Sequence, residues 1–413
     1  MDSTAPASLR RFWLVLYTLA AGLVLLLLFL TLADRSFHPA ALRHFSPEVL
    51  TTGRQFSREA QVAITLNFFA TVALMLWLCF RPGGAALLRR LEAAGRGRFW
   101  VTVLAVTAGL TVLSFLVDLP FAYYLSFWHE RAYGLSRQSF PDWLGEQGKS
   151  LLLGLVTAPL AYLPIFWMIR RWPRRWWIPA SLLNFALTGI WVLLTPVLVI
   201  PMYYELHPVQ DPALHSMIQR LAGRAGVEVE AISEIRVSGE TSRVNAMVTG
   251  LGPTRQVILY DTLLQRFTPE EVEVVMAHEL AHAAHRDVMA GWVLDGLGNA
   301  MILWVAAWML RRSVGVAPLN LPAPHAPRAL ALLMLLFTLA GQLSAPLENA
   351  FSRRTEVRAD RFALTVTGNP EAYVSAFKKL ASGNPMDVDP HPWVEFLDYS
   401  HPSITSRIRL AEP

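Results

Sequence analysis

Two histidines and a glutamate in one short segment carry the clearest chemistry in the sequence. His278, Glu279 and His282 form the pattern H-E-x-x-H. On an α-helix with 3.6 residues per turn, His278 and His282 lie one turn apart on the same face and can bind one tetrahedral Zn²⁺. Glu279 points about 100° away from His278, so it can reach a water beside the metal without being a ligand. The segment therefore predicts one zinc ion and a general base.

The helix that must position these side chains is well marked in the sequence. Thr268 is a candidate N-cap, Pro269 occupies the first helical position, and Glu271 stands three residues after the cap. Apolar residues follow at helical spacing through 272–280. The alternative is a helix that matches the histidine pattern by chance, and the acidic residues near 356 favour the zinc interpretation.

A second acidic segment offers partners for the histidine pair. Glu356 and Asp360 are one helical turn apart and share a face. Glu356 could complete the zinc site, and Asp360 could hydrogen-bond a ligand histidine from behind. The alternative is an exposed charged face that pairs with Arg353 and Arg354. The spacing alone does not choose between these interpretations.

The composition is that of a membrane protein. Of the 413 residues, 54% are hydrophobic and only 16% are charged, against about 25% charged in soluble proteins. Fourteen Trp and 21 Phe suit the aromatic belts at a bilayer surface. The net charge of +5 comes from arginines in short loops, so we interpret it as a topology and headgroup signal and expect no nucleic-acid partner. A single cysteine, Cys79, excludes an intrachain disulfide.

Seven apolar runs are long enough to span a bilayer, which requires about 20 residues. They are approximately residues 12–33, 61–80, 99–123, 151–169, 177–203, 288–310 and 329–347. The first ends like a signal peptide, but its apolar core is longer than usual, so we expect a retained helix. Acidic residues in or beside these runs, such as Asp118, Asp295 and Glu348, are costly in lipid and favour a water-filled interior.

The spans divide the chain into four predicted regions. These are 1–203 for transmembrane helices one to five with an interfacial loop at 124–150, 204–287 for a soluble α/β insert ending in the H-E-x-x-H helix, 288–350 for helices six and seven, and 351–413 for a C-terminal helical part. Within the insert, short strands are expected at 234–238, 245–249 and 256–260. The zinc helix is expected to continue into the sixth span, and the seventh span into the Glu356 segment.

Further motifs occur in order along the chain from about residue 60 to 410. They are Leu119-Pro120-Phe121 with Glu130 and Tyr133-Gly134-Leu135, then Ser242-Arg243-Val244-Asn245-Ala246, then the apolar segment 257–264, then H-E-x-x-H, then Asn349-x-x-Ser352-Arg353-x-x-Glu356-x-x-x-Asp360, and finally His401-Pro402 with Arg407. This series resembles the type I CaaX prenyl protease family, whose members are integral-membrane zinc metallopeptidases. The order of the motifs and the seven spans make the resemblance specific.

The resemblance implies a fold and a set of roles. The fold is mainly α and polytopic, with seven transmembrane helices enclosing a water-filled chamber and a small α/β zincin-like metalloprotease domain. The activity is that of a zinc metalloendopeptidase on membrane-associated or lipidated, CaaX-like peptides, with Glu279 as the general base. The implied metal ligands are His278, His282 and Glu356, and Asp360 would hydrogen-bond a ligand histidine. Asn245 and Arg407 would bind the substrate, and His401 would stabilise the oxyanion that forms during the reaction.

The chain also departs from the family pattern. Arg243 and Val244 replace small polar residues before Asn245. His285, three residues after the motif, rivals Glu356 as a ligand on spacing alone, although we expect it to act behind the ligands or structurally. Short loops and the absence of an ER retrieval signal favour a bacterial homologue in the inner membrane, which puts prenylated substrates in doubt.

The orientation of the chain in the membrane stays open. Arginines concentrate in loops on the side of the N-terminus, where Arg10, Arg89, Arg174 and Arg311 lie. The positive-inside rule then puts the protease domain outside the cytoplasm. The resemblance implies the opposite, because eukaryotic members of the family direct this domain to the cytosol.

Two other functions are alternatives. One is a membrane transporter or channel whose histidines bind a transported metal, and the other is a non-catalytic scaffold that holds client proteins. Glu279 argues against the carrier, which has no need of a general base between two ligands. The presence of all the expected chemical residues argues against a silent scaffold. The expected partners are a peptide or protein substrate, lipidated or not, and the lipid bilayer.

Overall fold

The computed structural model describes residues 6–412 and is mainly helical. Its helices are α1 (Ala7–Leu32), α2 (Pro39–His44), α3 (Pro47–Phe80), α4 (Pro82–Ala94), α5 (Phe99–Ala122), α6 (Glu130–Ala132), α7 (Phe140–Arg171), α8 (Trp177–Leu194), α9 (Ile200–Tyr203), α10 (Pro212–Ala225), α11 (Asp261–Arg266), α12 (Pro269–Ala284), α13 (Asp287–Arg312), α14 (Leu330–Thr367), α15 (Pro370–Gly383), α16 (Pro392–Asp398) and α17 (Ile404–Ile408). Short π-helical segments, 123–129 and 195–199, join α5 to α6 and α8 to α9.

Seven of these helical segments are long and apolar enough to cross a membrane. They are α1, α3, α5 with α6, α7, α8 with α9, α13, and the membrane part of α14. The prediction of a polytopic, mainly α protein with seven spans is therefore confirmed. No span buries most of its apolar surface inside the protein, as expected for helices that face lipid.

The connection between the third and fourth spans is shorter than the predicted loop at 124–150. Only residues 133–139 lie outside helices there. Ser139 starts α7 early, because its hydroxyl accepts a hydrogen bond from the Asp142 N–H at 3.3 Å. Aromatic and charged residues are mixed in this region, so the sequence shows no helical periodicity that would mark the ends of these two helices.

A four-stranded sheet follows the fifth span. Its strands are β1 (Leu206–Pro208), β2 (Ala231–Ile235), β3 (Ala246–Thr249) and β4 (Gln256–Tyr260), in the order β1-β2-β4-β3. β2 and β4 are parallel, and the two outer pairs are antiparallel. The sequence missed β1, which is too short for a periodic signal, and placed β2 three residues late.

The edge strand β3 is joined to β4 by a tight turn. Gly250 adopts a φ of +83°, and a Cβ at that position would lie 2.1 Å from the carbonyl oxygen of Thr254. Only glycine fits such a conformation at such a close approach. The turn fixes Ala246 opposite Leu259, so that β3 pairs with β4 on one side and ends the sheet on the other.

The core under the sheet holds the H-E-x-x-H helix in place. Met276 and Leu280 of α12 are buried against Val257 and Leu259 of β4 and against Ala363 of α14. Each fully buried side chain of the size of Leu or Met stabilises the fold by about 1.5–3 kcal/mol. This packing fixes the rotation of α12 about its axis, and hence the direction in which its polar face points.

α12 and α13 are two separate helices, so the prediction of one continuous helix was wrong. α12 ends at Ala284, and Arg286 adopts the left-handed conformation with φ +57° and ψ +38°. Positive φ is uncommon outside glycine, so no sequence signal marked this break. A new helix begins at once with Asp287.

The last span and the Glu356 segment form one helix, as predicted. α14 runs for 38 residues and contains Pro346 in its interior without ending there. At 1.5 Å per residue it extends about 57 Å, well beyond a hydrocarbon core of about 30 Å. The helix therefore carries Glu356 and Asp360 out of the membrane part and against α12.

Candidate metal centre

The start of α12 is fixed by a capping box. The Thr268 N–H donates to Glu271 Oε2 at 2.7 Å, and the Glu271 N–H donates to the Thr268 hydroxyl at 3.4 Å. Lys379 and Ser375 of α15 donate to the same carboxylate at 2.6 Å each. Burial acts to raise the pKa of Glu271, but these bonds outweigh it and hold the pKa below its ordinary value.

Three side chains from α12 and α14 converge beyond this cap. His278 Nε2 and His282 Nε2 lie 3.2 Å apart. Each is 3.3 Å from a carboxylate oxygen of Glu356. His278 faces Oε2 of Glu356 and His282 faces Oε1. Ligands at about 2.0–2.1 Å from a tetrahedral zinc are separated by about 3.3–3.4 Å, so the distance between the two nitrogens, and that from each nitrogen to the carboxylate, suit such a site.

A carboxylate lies beside the Nδ1 atom of each imidazole, on the side of the ring away from the candidate metal position. His278 Nδ1 lies 2.9 Å from Asp360 Oδ1, and His282 Nδ1 lies 2.9 Å from Asp287 Oδ2. Each Nδ1 then carries the proton, which leaves both Nε2 lone pairs directed at the same point. Without a metal, burial opposes a charged His278, but its hydrogen bonds to Asp360 and Glu356 raise the pKa of that ring to about 9, so a bound cation must displace the proton from Nε2. Carboxylate partners of this kind also increase the basicity of ligand histidines.

The surroundings of Glu356 indicate that these three residues suit a metal ion. Glu356 Oε2 is buried without a hydrogen-bond partner among the described residues, although it faces an imidazole nitrogen. The Arg407 guanidinium lies 3.5 Å from this oxygen and donates no hydrogen bond to it, so a metal ion at the site would supply the missing partner. Two nitrogens and one oxygen are a donor set that zinc accepts. His278, His282 and Glu356 are the predicted ligands, and the structure brings the three together.

Asp287 is the functional residue that sequence reasoning missed. It is 8% exposed, and its second oxygen pairs with the guanidinium of Arg358 on α14. The helix break at Arg286 turns the first residue of α13 back towards His282. A carboxylate five residues after the second histidine of the motif was the available signal, but a continuous helix would have directed it elsewhere.

Arg407 lies deeper than predicted. It is 7% exposed, and its Nε and Nη2 donate to the two oxygens of Asp360 at 2.9 and 2.7 Å. Nη2 also lies 3.5 Å from Glu356 Oε2. The guanidinium is therefore held by the acids next to the ligands, and it also lines the cavity beside Glu279. That Arg407 binds substrate stays a prediction, and its contacts add a role in positioning Asp360.

Glu279 lines a cavity beside the ligand atoms. The cavity has a volume of about 150 Å³, and its walls include Val244, Leu263 and Phe377. Burial raises the pKa of the Glu279 carboxyl, and the two neighbouring histidines act in the opposite direction. The carboxylate thus lies next to the candidate metal position, without being one of the three clustered ligands, and has an increased affinity for a proton.

Asn245 and His401 line the same cavity from other elements. Asn245 is exposed just before β3, and its Oδ1 accepts a hydrogen bond from the Ala246 N–H at 2.9 Å. His401 is held by Ser400, whose hydroxyl is 2.9 Å from Nδ1, while Nε2 lies 3.3 Å from Glu356 Oε1. Both predicted side chains are therefore within the cleft.

His285 does not join the cluster of described residues at this site. Its ring is at the exposed end of α12, where Nδ1 lies 2.8 Å from the carbonyl oxygen of Ala281. An edge-to-face contact with Phe362 holds it there. Of the two roles expected for His285, these contacts favour the structural one, because α12 ends at that point and the side chain turns back onto its own helix.

The segment before Asn245 is tied to the membrane part. Arg243 Nε donates to Glu130 Oε2 at 3.0 Å, and its Nη2 pairs with the other oxygen of that carboxylate. The Ser242 N–H donates to the carbonyl oxygen of Leu135 at 2.9 Å. The residue that departs from the family pattern thus connects the edge strand to the end of the third span.

The two halves of the chain match two family models. The model of Peptidase family M48 matches residues 208–412, and the model of the CAAX prenyl protease N-terminal region, five membrane helices, matches residues 30–205. The chain is 30% identical over 376 residues to the uncharacterized metalloprotease YhfN of Bacillus subtilis (strain 168), covering 89% of this chain and 86% of that protein. It is 27% identical over 323 residues to CAAX prenyl protease 1 of Saccharomyces cerevisiae, covering 72% and 69%.

The fold has a counterpart among solved structures. The crystal structure of S. mikatae Ste24p superposes with a TM-score of 0.85, covering 97% of this chain and 99% of that one. The sequences of the two are 20% identical, so this likeness concerns the fold alone.

Proposed function

The chain belongs to peptidase family M48, with the architecture of the CAAX prenyl protease 1-like membrane metallopeptidases, and on that basis we propose that it cleaves peptides at a zinc site formed by His278, His282 and Glu356. The observation that carries this proposal is the approach of the two imidazole Nε2 atoms to 3.2 Å of each other and of each to 3.3 Å from a carboxylate oxygen of Glu356, with an acid beside the Nδ1 of each imidazole. A zinc ion bound there supplies a Lewis acid that activates water and polarises the scissile carbonyl.

Glu279 moves the proton in this proposal. Its carboxylate accepts a proton from water as the water oxygen adds to the carbonyl carbon. It then donates that proton to the amine nitrogen as the C–N bond breaks. The raised pKa of the buried carboxyl supports this role, because a base is most effective when its pKa approaches the working pH. His401, 3.3 Å from Glu356, donates a hydrogen bond to the developing oxyanion.

The edge of the sheet positions the substrate. β3 pairs with β4 on one side only, so an extended peptide can add to its other side through main-chain hydrogen bonds. The carboxamide NH₂ of Asn245 then donates to a substrate carbonyl. The cavity lined by Val244, Leu263 and Phe377 accepts one apolar side chain next to the cleaved bond. We therefore propose peptides with an apolar residue at this position as substrates.

We propose that these peptides are membrane-associated and include lipidated ones. Seven spans place the enzyme in the bilayer, and relatives such as the Saccharomyces cerevisiae protein are named CAAX prenyl proteases. Similarity over most of the chain to a Bacillus subtilis metalloprotease supports the bacterial part of the proposed inner-membrane location.

The decisive experiment compares the wild type with Glu279→Gln. Both purified full-length proteins are incubated with farnesylated and unmodified peptides, and products are identified by mass spectrometry. We expect Glu279→Gln to retain zinc and to lose cleavage by at least 10²-fold, since a positioned general base contributes about 10²–10⁴-fold. Equal turnover by the variant would reject the mechanism. Zinc flux into liposomes that is unaffected by the substitution would instead support a carrier.

A further inference from the structure

A second cavity lies at the end of α3 remote from the protease domain. The start of α3 packs against that domain, where Gly53 approaches the main chain of Met386. At the other end a cavity of about 600 Å³ opens between the first turns of α1, the last turn of α3 and the loop after α13. Its walls include Leu9, Trp13 and Leu319. This volume is within the range of small-molecule sites, roughly 300–1,000 Å³.

The walls are apolar, and they include one unsatisfied donor. Trp13 is 8% exposed, and its indole N–H has no hydrogen-bond partner among the described residues. The hydroxyl of Ser313, also in the wall, donates to the Met309 carbonyl at 2.9 Å and does not accept a hydrogen bond from this indole. A buried N–H without a partner is costly, so a ligand with an acceptor group at this depth would stabilise the site.

The rim of the cavity is positively charged and faces the bilayer. Arg10 lines it, and Arg312, in the last turn of α13, donates to the Ser8 hydroxyl at 3.1 Å beside it. Leu14, in the same wall, is 65% exposed although it lies within a membrane span. The cavity therefore opens towards acyl chains, with arginines at headgroup height. Arginines at that height attract anionic headgroups.

We propose that this cavity binds one anionic phospholipid of the surrounding bilayer. An acyl chain lies between α1 and α3, the phosphate pairs with Arg10, and an ester carbonyl accepts the hydrogen bond of the Trp13 indole. This site is separate from the metal centre, and the proposal does not depend on peptide cleavage.

The test measures lipid retained by the purified full-length protein. Detergent-solubilised protein is mixed with phosphatidylglycerol or phosphatidylcholine of identical acyl chains, and bound lipid is counted by native mass spectrometry. We expect phosphatidylglycerol to be retained preferentially. Arg10→Gln should reduce its retention about fivefold, the contribution of one arginine at an anionic surface, while phosphatidylcholine stays unchanged. Leu76→Trp, which fills the cavity, should reduce retention of both lipids.

Matched variants control for charge and bulk. Arg90→Gln removes an exposed arginine outside the cavity, and Leu104→Trp adds an indole at an exposed position of a span; both should behave as wild type.

Thermal midpoints report folding, and Val316→Trp is a second filling variant if Leu76→Trp does not fold. Equal retention of the two lipids, or equal effects of Arg10→Gln and Arg90→Gln, would overturn the proposal. Displacement of the lipid by inorganic phosphate, or by a farnesylated peptide, would also overturn it.

Discussion

The most informative perturbation is Asp287→Asn, because it alters one ligand histidine from behind. Asp287 is 8% exposed, and its Oδ2 lies 2.9 Å from His282 Nδ1. Removing the outer partner of a ligand histidine typically costs 10–100-fold in metal affinity. Asparagine keeps an acceptor oxygen but loses the charge, so we expect a loss of about 10-fold, or about 1.4 kcal/mol. Asp287→Ala loses both properties and should approach 100-fold.

The matched control is Arg358→Gln. Arg358 pairs with the other oxygen of Asp287, but its side chain is 46% exposed, so solvent screens the pair. A pair of this kind contributes about 1 kcal/mol or less, and the histidine contact stays intact. Zinc affinity should therefore change less than about fivefold. The substitution separates the effect of the histidine partner from that of a disturbed helix junction.

The assay is zinc competition against a chromogenic chelator with full-length protein in detergent. The thermal midpoint of each metal-depleted variant is measured in parallel, because a misfolded protein would also bind zinc poorly. Wild-type affinity in Asp287→Asn would refute the reasoning. So would an equal loss in Asp287→Asn and Arg358→Gln, since both would then act through the junction of α12 and α13.

Two further predictions concern the supports of the site. Folding holds the pKa of Glu271 below its unfolded value, so its charge stabilises the protein above about pH 4.3 and that stabilisation is lost as pH falls through the folded pKa. Glu271→Gln should lower the thermal midpoint at pH 7, and its difference from the wild type should shrink as pH falls below about 4.3, whereas exposed Glu270→Gln should change little. Glu130→Ala and Arg243→Ala should raise KM more than they lower kcat and show a coupling of about 1 kcal/mol in a double-mutant cycle. Additive effects would show that the pair does not position the edge strand.

The local features of the site were predictable because they depend on short-range rules. Thr268 and Glu271 form the expected capping box, and His278 and His282 share a face because helical geometry requires it. The seven spans follow equally directly from hydrophobic run length. The convergence of Glu356 on the histidines was not derivable from spacing, since it depends on how α14 packs against α12. The family resemblance suggested it, and the catalytic role of each residue stays a prediction.

The errors share a physical origin in tertiary structure. The position of Asp287 depends on a left-handed conformation at Arg286, which the residue type does not announce. The pairing of Arg407 with Asp360 likewise depends on how the last helix packs against α14, which no sequence pattern gives. Arg407 also lines the cleft, so its contact with substrate stays a prediction.

The uninterrupted course of α14 has a consequence for biosynthesis. Glu356 follows the last membrane span on the same helix, so it reaches α12 only after that span has been inserted. A nascent chain that ends before residue 330 holds two imidazoles and no carboxylate to complete the set. We expect such a chain to bind zinc weakly and to have no peptidase activity. If Glu356 is the third ligand, as proposed, peptidase activity should appear only after the last span is inserted, which would protect the nascent chain from its own active site.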